Sequence, residues 1–247
     1  MEMVTARPSC VGHPGVDAQG PCLSCGRWAC DVCALPAVAG LLCPVCASER
    51  MPWEDRGQLG FWRGFARTLV PSMFAPEERF GRLQRRGPVA PALGYAAVTH
   101  LIGASTPALL SVSSSFGFAG SPADRLVSSL SLLGAVTLLW LAADVLLALL
   151  IHGTLAILGE AQATFGATVR AVCYGGGVGV LYATILLPSI FVPQVWATLT
   201  TIQAIRLSHR TTPGRATTAV LVPTLACMIA GLTVLKLLAP SMVALKG

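Results

Sequence analysis

The 247-residue chain is too apolar for an ordinary soluble domain, because 54% of its residues are hydrophobic and only 11% are charged. Soluble domains contain about 25% charged residues. Most charged residues precede residue 88, whereas most of the apolar residues follow it. The composition therefore excludes an ordinary soluble globular protein and indicates a membrane protein with a polar N-terminal region. Since MEMVTARPSC has no apolar core, we expect the N-terminus to be retained rather than cleaved as a secretory signal.

The first feature in chain order is a set of seven cysteines and one histidine, arranged as four pairs with two residues inside each pair. The predicted metal ligands are Cys10, His13, Cys22, Cys25, Cys30, Cys33, Cys43 and Cys46. Eight soft ligands suffice for two tetrahedral zinc ions, and a site closed by four protein ligands is structural. We therefore predict a two-zinc module over residues 1–50, whose folding is coupled to metal binding.

Other cysteine chemistry fits this spacing less well. A redox centre would place one CxxC on a helix after a strand, a pattern that is missing here. The histidine favours zinc over most iron–sulfur clusters. Only four residues separate Cys25 from Cys30, a short return path to one ion, whereas alternating pairs would interleave two sites.

The order of the pairs over residues 10–46 resembles a B-box zinc finger, although the last pair is Cys–Cys where that family usually has histidines. The resemblance implies one zinc ion on Cys10, His13, Cys30 and Cys33 and a second on Cys22, Cys25, Cys43 and Cys46. A sequential arrangement, with the first two pairs on one ion, stays open.

Residues 51–88 are predicted to form an amphipathic juxtamembrane linker. Phe61, Phe65 and Leu69 fall on one face of a helix with arginines displaced from it, which is typical of a helix in the headgroup region. A second short helix is predicted to start at Pro76, with two glutamates in its first turn and Phe80 and Leu83 turned inward. A linker that packs on the cytosolic ends of the spans is an equally good interpretation. Both place the linker at the membrane surface.

The apolar region over residues 89–240 predicts five membrane-spanning helices, because one crossing needs about 20 apolar residues. The predicted spans are 89–112, broken by Pro107; 126–158, longer than one crossing requires; 171–187 and 190–207, separated by a turn with Pro188 and Pro193; and 217–238. The pair over 171–207 also fits a re-entrant hairpin. The predicted fold class is an all-α polytopic membrane protein preceded by a small zinc-stabilised module.

Arginines in the short flanking segments predict the orientation. Seven precede the first span, namely Arg56, Arg63, Arg67, Arg79, Arg82, Arg85 and Arg86, and only Arg125 follows it. The positive-inside rule places the N-terminus in the cytosol and the C-terminus on the opposite side. Cytosolic cysteines are kept reduced and rarely form structural disulfides, which favours zinc.

Ionisable residues inside spans are functional hypotheses by default. The intramembrane candidates are Asp144, His152, Glu160, Arg170 and Tyr174. Asp144 lies midway along the second span and either pairs with His100 of the first span or binds a proton or ion. The other four are predicted to form a polar cluster at the cytoplasmic mouth. A structural network is the favoured interpretation of both sets, and transport is the alternative.

No motif predicts catalysis. GGGVG at 175–179 lacks the preceding strand and the lysine of a phosphate loop, so close helix packing is the favoured interpretation. No HExxH, GxSxG or convincing serine–lysine dyad is present. The arginines lie against the predicted bilayer, which disfavours binding to nucleic acid.

Several segments between residues 60 and 240 resemble the Yip1 domain family in the same order. They include FWRGFARTLV, IHGTLAILGEAQATFGATVRAVCYGGG and LLPSIFVPQVWATLTTIQAIRLSHRTTPGRA. The resemblance implies a membrane-embedded adaptor without known catalysis. Eukaryotic members bind prenylated Rab-type GTPases in vesicle traffic, and many bacterial members join a small Cys-rich finger to the domain.

Arginine outnumbers lysine 15 to 2, a bias typical of GC-rich bacterial coding, so the bacterial cytoplasmic membrane is the predicted location. The predicted function is a scaffold that contacts the bilayer, recruits a cytosolic protein through its finger and has the capacity to self-associate. The alternative is a small transporter or channel that uses Asp144 and His152. A finger that senses zinc or redox state and signals to the spans is a weaker third hypothesis.

Overall fold

The computed structural model describes residues 8–22, 26–37, 40–43, 50–81, 83, 87–113, 121–184 and 191–244. The predicted ligands Cys25 and Cys46 lie outside these ranges, as do Pro188 and the arginines at 82, 85 and 86.

The N-terminal module contains short strands, which the sequence analysis did not predict. β1 (Gly20–Pro21) pairs antiparallel with β2 (Trp28–Ala29), and β3 (Leu35–Ala37) pairs antiparallel with β4 (Gly40–Leu42). The β1–β2 connection turns at Gly26, whose φ of 73° suits glycine because it has no Cβ. Its amide donates to the Cys22 carbonyl at 2.9 Å. The first hairpin therefore places Cys22 at its turn, and Cys43 directly follows β4.

Three helices follow the module: α1 (Arg56–Leu59), α2 (Phe61–Phe74) and α3 (Pro76–Gly81). α3 begins at Pro76 as predicted, and Phe80 and Leu83 are buried. α2 buries Phe65 but leaves Trp62 and Phe74 exposed. Its outer face is therefore aromatic, in keeping with a helix at a membrane surface.

Among the described residues, the apolar region contains five α-helices and one 3₁₀ segment. They are α4 (Ala90–Ser113), α5 (Pro122–Ile157), α6 (Phe165–Gly175), a 3₁₀ segment (Gly176–Ala183), α7 (Phe191–His209) and α8 (Pro213–Ala244). Within the described residues, α5 and the Pro213–Ala230 part of α8 are long and apolar enough to cross a membrane by length and composition. The count of five spans stays a prediction.

The structure differs from the predicted spans in two details. Pro107 does not break the first span, because α4 runs without interruption from Ala90 to Ser113. Membrane helices tolerate proline when neighbouring groups satisfy the freed backbone. The predicted 171–187 span is not one regular helix, since α6 ends at Gly175 and eight residues of 3₁₀ helix follow. Runs of 3₁₀ helix longer than 3–4 residues are uncommon, which marks this segment as one held by its packing.

The start of α5 is fixed by a complete capping box. The Ser121 side chain accepts from the Asp124 amide, the Asp124 side chain accepts from the Ser121 amide, and Pro122 occupies the first turn. The 36 residues of α5 extend over about 54 Å at 1.5 Å per residue. The helix is therefore longer than the hydrocarbon core of about 30 Å, as expected from the sequence.

A single large apolar core joins the linker to the apolar helices. It contains Phe65 and Phe80 from the linker, together with Tyr95, Ile151 and Tyr174 from α4, α5 and α6. Met51 and Trp53, which precede α1, are 1% and 2% exposed in the same core. The first residues after the N-terminal module are thus built into the membrane domain.

Glycines allow the 3₁₀ segment to approach α4 closely. A Cβ placed on Gly103 would lie 2.5 Å from the carbonyl oxygen of Gly179, which is backbone and cannot rotate away. Gly103→Ala should therefore lower the free energy of unfolding by about 1–3 kcal/mol. Thermal unfolding of the purified protein in detergent measures the change.

Gly134→Ala is the matched control for this prediction. Gly134 lies inside α5, and a Cβ there would meet nothing within 4 Å. Because alanine favours a helix interior by about 0.5–1 kcal/mol over glycine, this variant should be neutral or more stable. Equal destabilisation by both substitutions would contradict the close-packing explanation.

Candidate metal centre and buried polar networks

Four of the predicted metal ligands converge in the N-terminal module. They are Cys10, His13, Cys30 and Cys33, and their ligand atoms all lie within 4.8 Å of one another. The Cys10 and Cys33 sulfur atoms are 3.7 Å apart. His13 Nδ1 lies 3.4 Å from Cys30 Sγ and 3.0 Å from Cys33 Sγ.

Local turns aim these side chains at one point. The Cys33 and Ala34 amides both donate to the Cys30 carbonyl, at 3.1 and 2.7 Å, which closes a tight turn over the second pair. The Cys10 amide donates to Val16 at 2.9 Å, and the Val16 amide donates back to His13 at 3.1 Å. Because two residues separate the members of each pair, the turn lets both ligand side chains point toward the same position.

The separations fit a tetrahedral zinc ion. Zn–S bonds of 2.3 Å and Zn–N bonds of 2.0–2.1 Å correspond to S···S and S···N separations of about 3.8 and 3.5 Å. Three thiols and one imidazole are a common donor set for structural zinc. Since the protein fills all four positions, a bound ion would have no open position for substrate or catalytic water.

Two cysteines of this cluster have pKa values shifted in opposite directions. Burial raises the pKa of Cys10, but hydrogen bonds from the backbone near Cys30, Gly12 and His13 outweigh it and lower the pKa to about 6. Burial and the hydrogen bonds of Cys30 and Cys10 raise the pKa of Cys33 to about 12. Of these two thiols, Cys10 therefore loses its proton more readily than Cys33.

Cys22 and Cys43 form a separate pair. The Cys43 amide donates to Cys22 Sγ at 3.3 Å, and both residues are buried with Ala29 and Leu42. Cys22 is not among the four converging ligands, so the described residues follow the interleaved order rather than the sequential one. With Cys25 and Cys46 outside the described residues, the second zinc ion stays a prediction.

Asp144 of α5 contacts His100 of α4. The two side chains form a hydrogen-bonded pair at 2.7 Å between His100 Nε2 and Asp144 Oδ2. This is the interhelical contact that the sequence suggested as the structural role of Asp144. The pair joins two helices whose facing surfaces are otherwise largely apolar.

His152 belongs to a different network, which links α5, α6 and α7. Thr168 Oγ1 lies 2.9 Å from His152 Nδ1 and 2.9 Å from His209 Nε2. The Ala163 amide donates to His209 Nδ1 at 3.3 Å, so the neutral His209 ring carries its proton on Nε2 and donates to Thr168. The Thr168 hydroxyl is then free to donate to His152. With neutral rings, this assignment gives a direction to each hydrogen bond between Ala163, His209, Thr168 and His152.

Arg170 and Tyr174 contact a residue outside the predicted cluster. Arg170 Nη2 donates to Glu54 Oε1 at 2.5 Å, and the Tyr174 hydroxyl donates to the same oxygen at 2.9 Å. The Arg170 side chain is 0% exposed and that of Glu54 is 7% exposed. Glu160 instead forms an ion pair with Arg215 at the start of α8. The hydrogen bonds of the described residues therefore distribute the predicted cluster over three networks.

Sequence reasoning missed Glu54 and His209 as members of these networks. Glu54 was assigned to a surface linker, although Met51 and Trp53 beside it are large apolar residues in a polar stretch. That local pattern was the available signal for a buried segment. His209 lies at the end of a predicted span, where polar residues are common, so its position gave no signal of a buried network.

The fold and the cluster define a helical membrane protein that carries an N-terminal Cys/His site able to hold a metal ion. The Yip1 domain family model matches residues 71–235. The chain belongs to the Yip1 domain family, whose proteins are membrane proteins not known as enzymes. No curated protein and no solved structure matches the chain.

Proposed function

We propose that this Yip1 domain protein is a non-enzymatic membrane scaffold whose N-terminal finger recruits a cytosolic protein. Zinc fills the Cys10, His13, Cys30 and Cys33 site and a second site built on Cys22 and Cys43. The N-terminus faces the cytoplasm of a bacterial cell, and the C-terminus lies across the cytoplasmic membrane. The arginines before α4 support this orientation.

The anchoring of the segment after the finger is the observation that carries the proposal. Trp53 donates through Nε1 to the Pro91 carbonyl at 2.6 Å, and its amide donates to Thr68 Oγ1 at 2.9 Å. Glu54 is held by Arg170 and Tyr174 of α6. A finger tethered at residue 50 to a buried anchor keeps a bound partner close to the membrane, as a scaffold requires.

The finger also offers apolar surface for a partner. Val11, Trp28 and Val32 are 60%, 40% and 80% exposed. The Val11 amide donates to the Trp28 carbonyl at 3.0 Å, so these two residues are neighbours. Exposed aromatic and aliphatic side chains of this kind are typical anchors of protein interfaces.

Cross-linking of the full-length protein in its native membrane tests recruitment. We expect a cytosolic protein to be cross-linked to the wild type, and Val11→Ser combined with Trp28→Ala to reduce its yield about tenfold, corresponding to about 1.4 kcal/mol of binding. Gln19→Ala, an exposed change in the same module, should retain the wild-type yield. Equal cross-linking of a cytosolic protein by all three proteins, or by none, would refute recruitment through this surface.

A transporter or channel is the second candidate, because Asp144 lines a cavity of about 580 Å³ among the apolar helices. Flux of protons or solutes into proteoliposomes separates the two functions. If Asp144→Asn abolishes a flux that the wild type supports, while folding and oligomeric state are unchanged, the scaffold proposal is wrong. Absence of flux through the wild-type protein would contradict the transporter hypothesis.

A further inference from the structure

The cavity of about 580 Å³ lies between α4, α5, α6, the 3₁₀ segment, α7 and α8. Its volume falls within the range of about 300–1,000 Å³ for small-molecule sites. Aliphatic residues such as Leu147, Val172 and Val220 form much of its lining. The polar contributions come chiefly from His100, Asp144, Tyr182, Gln194 and Thr198. A few polar groups among mainly apolar lining residues are the usual composition of a ligand site.

The charged side chain that lines the cavity, among the described residues, is acidic. Asp144 is its acidic residue, and neither arginine nor lysine lines the cavity among the residues that the structure describes. His100 donates to one carboxylate oxygen, Oδ2, at 2.7 Å. In the described part of the chain no hydrogen bond reaches Oδ1, and the side chain is 18% exposed. The cavity therefore presents an accessible carboxylate oxygen and suits a cation rather than an anion.

Aromatic rings continue from the carboxylate along the cavity. The His100 and Trp140 ring centroids are 5.4 Å apart with planes at 70°, and the Trp140 and Tyr182 centroids are 5.8 Å apart with planes at 47°. All three residues line the cavity. Tryptophan and tyrosine faces attract cations, and such attraction reaches about 2 kcal/mol in a site shielded from water.

We propose that this cavity binds an organic ammonium group attached to a small or apolar body. The Asp144 carboxylate supplies the counter-charge, Trp140 and Tyr182 supply the ring faces, and the aliphatic lining accommodates the body. A bare metal ion would use neither the rings nor most of the volume. The ligand is either a free amine or the ammonium headgroup of a lipid. This inference does not depend on the finger or on recruitment of a partner.

Saturation-transfer NMR on the full-length protein in phosphatidylglycerol nanodiscs tests the proposal, with choline as the probe. Its uncharged carbon analogue, 3,3-dimethyl-1-butanol, is the matched ligand, and nanodiscs without protein give the background. We expect choline to bind at least about tenfold more tightly than the analogue, a difference of about 1.4 kcal/mol. Equal affinity for the two probes, or no choline binding, would overturn the proposal.

Substitutions in the cavity test which side chains bind the ammonium group. Asp144→Asn and Trp140→Leu should each weaken choline binding about tenfold, whereas Trp140→Phe should keep most of it. Glu77→Gln removes a carboxylate whose side chain is 68% exposed and does not line the cavity, so binding should be unchanged. If Asp144→Asn does not fold, the leucine and phenylalanine variants of Trp140 decide. Unchanged binding in Trp140→Leu would contradict the proposed site.

A change of lipid distinguishes the two sources of the ammonium group. In nanodiscs of phosphatidylcholine, a site that takes lipid headgroups is already filled, so added choline should bind at least about tenfold more weakly. A site for free amines keeps its affinity for choline in both lipids. Both outcomes support an ammonium site, and each shows whether the ammonium group belongs to a lipid or to a free amine.

Discussion

Glu54→Ala should destabilise the membrane domain by about 3–5 kcal/mol, because it removes the Glu54 carboxylate that pairs with the buried charge of Arg170. The Arg170 side chain is 0% exposed and cannot reach water without disrupting the surrounding core. Tyr174 loses its hydrogen-bond acceptor in the same variant. Thermal unfolding in detergent, followed by tryptophan fluorescence, measures the loss.

Glu77→Ala is the matched control, since it also removes a glutamate that pairs with an arginine. Glu77 and Arg206 are 3.3 Å apart, but their side chains are 68% and 34% exposed. Exposed ion pairs contribute about 0–1 kcal/mol, so this variant should change stability little. Equal losses in the two variants would show that the Glu54 contact contributes no more than a surface pair.

A double variant separates the buried charge from the packing around it. Arg170→Met in the Glu54→Ala background removes the buried charge that has lost the Glu54 carboxylate, and it keeps a long apolar side chain, so it should recover part of the lost stability. A further loss in the double variant would mean that the remaining contacts of the Arg170 side chain stabilise the protein by more than its buried charge costs once Glu54 is removed.

The positions of the helices follow from local sequence, which is why they could be predicted. Pro76 starts α3 where its missing amide causes no loss, and α5 covers the long apolar run that begins beyond Arg125. The sequence wrongly predicted a break at Pro107 and did not predict the 3₁₀ segment, because distant contacts act on both parts of the chain. Thr106 donates to the Ala183 carbonyl at 2.5 Å, and Gly103 allows the Gly179 backbone to approach. Neither contact produces a periodic pattern in the sequence from which it could be predicted.

The contacts of the polar networks were likewise only partly predictable from the sequence. Asp144 and His100 were paired from sequence because both lie inside apolar runs, where few partners are available. Glu54 and Arg170 are 116 positions apart, and the sequence placed them in different regions. The spacing of each CxxC or CxxH pair predicted the metal ligands, four of which converge, but spacing alone left open which pairs share an ion. Cys10 and Cys30 are brought together where the Val11 amide donates to Trp28 of β2, a strand too short to produce a recognisable pattern.

Metal analysis of the purified protein should give about two zinc ions per chain, one for each group of four ligands. Cys10→Ser with Cys30→Ser removes two ligands of the converging cluster, so one ion should remain on the other group. Cys10→Ser with Cys22→Ser removes one ligand from each group, so both ions should be lost. Inductively coupled plasma mass spectrometry gives the stoichiometry.

The two double variants exchange their results if the sites are sequential. In that arrangement Cys10 and Cys22 share an ion, so their double variant would keep one zinc ion, whereas the Cys10 and Cys30 variant would lose both. Cys227→Ser is the control, because Cys227 is exposed in α8, outside the finger, and should leave the metal content unchanged. Near-zero zinc in the wild type, with the finger cysteines in disulfides, would contradict both the metal site and its cytosolic location. Since a structural zinc site folds only with its ion, the variant that loses both ions should also expose residues 8–43 to protease, and the variant that keeps one should be cleaved more slowly.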